Sequence, residues 1–236
     1  MKLLMTADAV GGVWSYSLEL ARALAPHGVE IVLATMGPPP TGAQREVTVW
    51  RDQVAAIDQG AEVADWFSTH LGVACRLVRQ ADDAVRHVDP VFACQPADQV
   101  SFADGYPLLL ISEESLADLN MRLDAALPMN RFRPNVVTRG AGAPYAEDTW
   151  REITIGEIRF SPVKACARCV TTTTDQSTAE RGVEPLATLA SYRRVPRGVL
   201  FGQNLIHHTR GTLRVGDATH VIERLPGPGE LAATAR

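Results

Sequence analysis

No apolar run in this sequence is long enough to cross a membrane. The two longest, Tyr106–Ile111 and Ile31–Met36, fall far short of the ~20 residues that a helical span requires. The opening Met1-Lys2-Leu3-Leu4-Met5 is broken by Asp8 and then by Gly11-Gly12, too early for the apolar core of a signal peptide. These absences predict a cytoplasmic protein with no membrane partner. A basic surplus is lacking too. Lys and Arg number 23 against 27 Asp and Glu, a formal net charge of −4. That excludes a generally basic nucleic-acid-binding surface and leaves room for an acidic cofactor held by a few local arginines. Cysteine is scarce: Cys75, Cys94, Cys166 and Cys169 are all there is. In a chain of this length without a signal, so few predict chemistry rather than a disulfide framework.

What is present divides into two parts. Lys2–Thr6 is a short apolar run followed by the Gly11-Gly12 turn. From Trp14 to Leu24 the residues Tyr16, Leu20, Ala23 and Leu24 recur at helical spacing until Pro26 and Gly28 stop them. Glu30–Thr35 reads as a buried strand, so the first 35 residues predict a strand–helix–strand unit with parallel strands. Gly37-Pro38-Pro39-Pro40-Thr41-Gly42 is incompatible with a helix and predicts a linker.

Beyond Glu46 the pattern changes. Val47, Val49 and Arg51 alternate with Thr48 and Trp50 as in a strand, Ala61–His70 places Val63, Trp66 and Phe67 on one helical face, and Arg76–Val78 reads as a strand. Ser112–Leu123 predicts a helix with a capping sequence at Ser112. After Asn130 short strands follow one another: Asn135–Thr138, Trp150–Ile155, Glu157–Val163, Thr171–Thr174, Gly211–Val215 and His220–Glu223. Gly and Pro separate them at short intervals, which predicts a sandwich or barrel. The four tryptophans, Trp14, Trp50, Trp66 and Trp150, read as core. Asp148 and Asp175 read as caps or loop ligands.

The pair Cys166-Ala167-Arg168-Cys169 admits several chemistries. A zinc site wants four ligands; there is no second pair, and only His207-His208 could complete the set, at an unusual spacing. A dithiol redox pair wants a helix N-terminus beside it, whereas Val170–Thr174 is β-prone. A thiolate ligand for a soft metal is the third possibility, and Arg168 next door would favour the thiolate. Arg133 offers paired donors to a phosphate or pterin oxygen, or makes an ordinary salt bridge. Asn135 and Asn204 offer amide hydrogen bonds, or mark turns.

Two resemblances bear on these choices. Met1-Lys2-Leu3-Leu4-Met5-Thr6-Ala7-Asp8-Ala9-Val10-Gly11-Gly12-Val13-Trp14, with Leu18-Glu19-Leu20-Ala21-Arg22-Ala23-Leu24, resembles the opening of a family-4 glycosyltransferase of the GT-B fold. That family's sugar-nucleotide site lies in a second domain, to which nothing here is similar, so no transferase activity is expected. From about Val47 to Glu223 the chain resembles the MOSC family (molybdenum cofactor sulfurase C-terminal domain). That family includes bacterial hydroxylaminopurine-detoxifying enzymes and the amidoxime-reducing component. The resemblance is carried by Val100-Ser101-Phe102-Ala103-Asp104-Gly105-Tyr106-Pro107, Ser112-Glu113-Glu114-Ser115-Leu116, Asn130-Arg131-Phe132-Arg133-Pro134-Asn135, Tyr145-Ala146-Glu147-Asp148-Thr149-Trp150, Cys166-Ala167-Arg168-Cys169 with Thr172-Thr173, Glu184-Pro185-Leu186, Phe201-Gly202-Gln203-Asn204 and Gly211-Thr212-Leu213-Arg214-Val215-Gly216-Asp217.

The resemblance implies an α+β fold: a MOSC-type β-barrel with flanking helices, preceded here by the short βαβ unit. The expected organisation is a βαβ fragment over 1–36, a linker over 37–46, a partial N-terminal MOSC region over 47–128, the barrel over 129–224 and a disordered tail over 225–236. It further implies a molybdenum cofactor (Mo-molybdopterin), with Cys169 as metal ligand and catalytic residue, and with Arg133, Asn135, Arg168 and Asn204 holding the cofactor. Cys166 is expected to be dispensable. The implied activity is reduction of small N-hydroxylated compounds or N-oxides, with electrons from an external donor protein. A sulfur carrier using a cysteine persulfide, or a fusion with impaired cofactor binding, is the alternative. The family is also linked to pyridoxal phosphate enzymes, but no lysine here has a recognisable context for that cofactor.

Overall fold

A computed structural model describes residues 2–8, 30–36 and 42–225. The helix expected over Trp14–Leu24, the Gly11-Gly12 turn, most of the Pro-rich link and the tail beyond Leu225 lie outside the described residues. The chain divides into two compact units, Met1–Ala84 and Val85–Arg236.

In the first unit, β1 (Lys2–Asp8) and β2 (Glu30–Met36) pair in parallel, Lys2 opposite Glu30, as the strand–helix–strand pattern predicts. A separate antiparallel sheet follows in the order β3 (Gln44–Val49), β4 (Asp52–Asp58), β5 (Val78–Gln80). Trp50 is not core. It sits in the β3–β4 turn with φ 58° and is 74% exposed, because the reversal occupies the positions where alternation would have continued. Helix α1 (Ala61–Leu71) ends at Gly72, whose φ of 68° closes the last turn in the left-handed region. Asp58 is buried and anchors the unit. It receives Arg45 Nε, Arg76 Nε at 2.5 Å, Arg76 Nη2 at 2.9 Å and the Gly60 N–H at 2.8 Å. Its carboxyl lies far below the usual carboxylate range, chiefly through the hydrogen bond from Arg76.

The second unit is built on a curled seven-stranded sheet in the order β12-β8-β9-β11-β6-β7, with β10 on β11. These strands are β6 (Leu108–Ser112), β7 (Val136–Thr138), β8 (Trp150–Ile155), β9 (Ile158–Ala167), β10 (Arg194–Val195), β11 (Gly198–His207) and β12 (Thr219–Arg224). With its helices this is the α+β, half-barrel architecture that the resemblance implies. β6 is a run of four large apolar residues paired on both edges, with β11 and with β7, and its faces are covered by different clusters, one around Leu110 and one around Ile111. It leads directly into α2 (Glu113–Met121), and the chain returns as β7, parallel to β6. Ser112 caps the helix, its Oγ accepting from Ser115 N at 3.1 Å. The buried Glu147 carboxylate locks this corner, accepting from Ser112 N, Ser112 Oγ and Ser115 Oγ.

Two apolar clusters flank the sheet. One gathers Leu110, Trp150, Ile153, Ile155, Ile158, Phe160 and Leu205. The other gathers Ile111, Leu119, Phe132, Leu189, Val199 and Phe201. β11 serves both because it is irregular between Leu200 and Gln203. At Gly202, φ is 85°, and a Cβ there would stand 2.7 Å from Ile111 Cγ1 and 2.9 Å from Leu110 O. Only glycine fits that close crossing. The expected strand at Gly211–Val215 is a loop: Asp217 Oδ2 accepts from Arg214 N at 2.7 Å, which holds a turn instead of a ladder.

Candidate functional site

β9 delivers the cysteine pair. Cys166 lies one residue before the strand's last residue, Ala167, and is half-buried. Cys169 lies past the strand, exposed, as the residue that opens a 3-10 helix over Val170–Thr173. The strand expected over Thr171–Thr174 is therefore corrected. Thr172 Oγ1 donates to Cys169 O at 2.9 Å and Thr173 Oγ1 donates to Val170 O at 2.8 Å. Hydroxyls bonded three residues back hold the chain in a tight turn and outcompete the ladder that their β-propensity suggests. Thr171 then acts on the thiol. Its hydroxyl first, and its backbone N–H and the Arg168 charge after it, hold the Cys169 thiol below its ordinary range, while burial works the other way.

Arg168 is the hub. Its backbone N–H donates to Val199 O at 2.7 Å, which fastens the end of β9 to β11. Its guanidinium donates through Nη2 to Phe132 O at 2.6 Å and through Nη1 to Cys166 Sγ at 3.1 Å. It lies 5.7 Å from the centre of the Phe132 ring. Its direct thiol partner is thus Cys166, and it reaches Cys169 only by charge. Its Nε is buried with no hydrogen-bond partner.

Arg133 follows Phe132 and is exposed, but not on a strand as expected. It ends the 3-10 helix Met129–Phe132 in the left-handed region, φ 54° and ψ 47°. Pro134 disfavours continuing a right-handed helix there, and the left-handed alternative costs a non-glycine residue roughly 1–2 kcal/mol. Arg131, just before, is buried. It pairs with Asp175 at 2.7 Å and leaves its Nε without a partner. Asp175 also accepts from Ser177 N and Thr178 N, and Asp148 accepts from Arg193 and Gln203, so both acids are structural ties. Asn135 is engaged with β6, its Oδ1 accepting from Leu109 N and its N–H donating to Leu109 O, both at 2.9 Å. Asn204 lies on β11 opposite Leu109 on one side and Lys164 on the other.

The fold thus brings Arg133, Arg168, Cys166 and Cys169 to one end of β9. It sets Asn135 and Asn204 on either side of Leu109. His207 and His208 are at the opposite end, His207 across from Phe160. Among the described residues no three His, Cys, Asp or Glu side chains converge as a metal cluster. Thr171 and Arg131 escaped the sequence reading. A threonine two residues after a cysteine is a usable signal for the first; a buried guanidinium leaves none.

The donor set suits a soft metal carried on an anionic group: one exposed cysteine biased toward thiolate, and guanidinium N–H groups, two of them buried and unpartnered, close by. The sequence profile of the MOSC domain matches residues 97–220, more than half of the chain. Mitochondrial amidoxime-reducing component 1 of Mus musculus is 36% identical over 208 residues, covering 81% of this chain and 59% of that protein. The Homo sapiens protein of that name is 34% identical over 196 residues, covering 78% and 58%. Molybdenum cofactor sulfurase of Arabidopsis thaliana is 38% identical over 154 residues, covering 58% and 19%. The chain therefore spans less than two thirds of each of these relatives.

Proposed function

This chain belongs to the MOSC domain family, and from that premise we propose that it is a molybdenum-cofactor oxidoreductase module that reduces N-hydroxylated compounds or N-oxides with electrons from a separate protein. The reaction for a hydroxylamine-type substrate is R–NHOH + 2 H⁺ + 2 e⁻ → R–NH₂ + H₂O. The observation that carries the reading is the placement of an exposed, thiolate-biased Cys169 beside the guanidinium of Arg168, whose Nε is buried and unpartnered.

When bound, the cofactor supplies the two-electron chemistry. The chain's residues position it. Cys169 is the ligand, and Thr171 biases its sulfur toward the thiolate that a soft metal takes. Arg133 and the free Nε of Arg168 would neutralise the anionic part of the cofactor. Asn135 keeps its side-chain NH₂ available as a donor while its Oδ1 is engaged, and Asn204 offers a second amide. Arg168 also holds Phe132 and the end of β9 together, so the ligand's neighbours are fastened to the sheet.

The exposed thiol equally suits a persulfide, as the second reading, a sulfur carrier, requires. Elemental analysis of the chain purified from a host that makes the cofactor separates the two. Molybdenum near one per chain, lost in Cys169→Ser, supports the reductase. A sulfane sulfur on Cys169 without metal supports the carrier.

A further inference from the structure

One basic feature stands apart from the cofactor site. The segment Tyr192-Arg193-Arg194-Val195-Pro196-Arg197 carries three arginines and no acid, in a chain whose net charge is −4. Arg193 is consumed by Asp148 at 2.6 Å. Arg194, which opens β10, and Arg197, in the β10–β11 turn, are exposed and have no ion-pair partner among the described residues. Val195 between them is 38% exposed. Two unneutralised arginines around an exposed apolar residue resemble a small docking patch: apolar contact at the centre, charge at the rim.

The patch adjoins the cysteines. Arg194 pairs with Val199, whose carbonyl accepts the Arg168 N–H, and Leu200 pairs with Ala167. Two strand spacings, roughly 10 Å, therefore separate the backbone of Arg194 from the end of β9. A run of packed aromatic rings also joins the two places. Phe132, under the Arg168 guanidinium, lies 4.4 Å from Phe201; Phe201 lies 6.3 Å from Tyr145; and Tyr145 lies 6.1 Å from Tyr192, their hydroxyls 2.7 Å apart. Tyr192 ends helix α3 (Leu186–Tyr192), immediately before the basic hairpin. Arg122 covers its ring at 4.3 Å and spends its charge on Asp118. Electronic coupling decays less steeply through packed atoms than across gaps, so a donor seated on the hairpin would face the outer end of a continuous path.

We propose that the Arg194–Arg197 hairpin, with the adjoining end of α3, is the docking surface for a small acidic electron-transfer protein. This rests on the reductase reading. The partner delivers electrons singly, two per oxygen removed, and Arg194 and Arg197 steer its acidic face onto the hairpin.

The test uses the cofactor-loaded chain and an acidic plant-type [2Fe–2S] ferredoxin as probe, with basic cytochrome c as the like-charged control. Calorimetry should show ferredoxin binding at low ionic strength that weakens by about tenfold or more on adding salt. Binding should weaken by about tenfold or more in Arg194→Glu/Arg197→Glu. Arg194→Gln/Arg197→Gln should show a smaller loss should the reversed charges disturb folding, and Arg151→Glu, on β8, should change nothing. Turnover driven by reduced methyl viologen, which needs no docking, should survive in the double variants while ferredoxin-driven turnover falls. Viologen-driven turnover with ferredoxin affinity equal in wild type and double variants overturns the docking surface and leaves the reductase reading standing. A metal-loaded wild type without viologen-driven turnover overturns both. Binding of a single-stranded oligonucleotide that the same substitutions abolish, with ferredoxin unbound, assigns the patch elsewhere and also overturns it.

Discussion

The two ends of β9 are made from one strand and do opposite things. At its start, Ile158 and Phe160 are buried against Leu110, Trp150, Ile153 and Leu205. Strict alternation with the exposed Arg159 gives one face to the core. At its end, residues 161–166 are only half-buried, and the chain is secured by polar bonds instead: Arg168 to Val199, Phe132 and Cys166, then the threonine turn at Cys169. Apolar packing holds the first end whatever the pH or ligand. The second is stabilised by groups that keep unused capacity, a free thiol and unpartnered guanidinium N–H groups, and that capacity is what a cofactor can use. The comparison teaches that the strand's cohesion and its chemistry are separable, and substitutions should separate them.

The largest effect is expected at the reactive end. Cys169→Ser should abolish reductase turnover, by more than about a hundredfold, because a hydroxyl is a far poorer ligand for a soft metal. Cys166→Ser should stay within about twofold, since its sulfur accepts a bond from Arg168 and donates weakly to Ala167 O, both of which a hydroxyl can make. Parallel assays of metal content and rate decide this, and the reverse outcome would place the ligand at Cys166.

At the apolar end, Phe160→Ala should cost about 3–5 kcal/mol of stability, read as a shift in the denaturant midpoint. Molybdenum per folded chain should not change. If it falls in proportion, the two ends are not separable.

Arg133→Ala should leave the denaturant midpoint nearly unchanged, because the side chain is exposed and makes no hydrogen bond or ion pair among the described residues. It should weaken cofactor retention by about 1.5–3 kcal/mol, the worth of a charge-assisted partner. Dialysis followed by metal analysis measures it, and full retention would remove Arg133 from the site.

The smallest effect concerns Thr171. Its hydroxyl is the first cause of the lowered Cys169 thiol pKa. Thr171→Val should therefore move the pH profile of Cys169 alkylation in the metal-free chain upward, with exposed Cys94 as internal reference. The sign follows from the lost hydrogen bond, which favours the thiolate over the thiol, and linkage gives the matching effect on stability. A thiol whose folded pKa is depressed adds stability above its unfolded pKa, and that stability fades as pH falls through the folded value. An unmoved profile would assign the bias to the backbone N–H groups and Arg168.

Periodicity located several of the regular elements, because it reports burial directly, but it left β4, β6, β11 and α3 unread. Trp150–Ile155 is a strand with the bounds expected, Ala61–His70 is a helix to within one residue, and Ser112 caps the helix it was expected to cap. Periodicity failed where local polar bonds outbid it. Val170–Thr173 has β-prone residues whose hydroxyls bond back to the chain, Arg133 is turned aside by Pro134, and Gly211–Val215 is held as a loop by Asp217.

The sequence by itself determined the family, the candidate residues, and the alternation that makes the sheet, since these depend on residue order and on which side chains avoid water. Only the tertiary structure decided what each candidate touches. Arg168 and Phe132 are 36 residues apart, and Arg194, Val199 and Arg168 meet across three strands. A hydrogen bond of 2.6 Å between distant segments is set by strand register and by the Gly202 irregularity, and neither leaves a periodic trace in the chain.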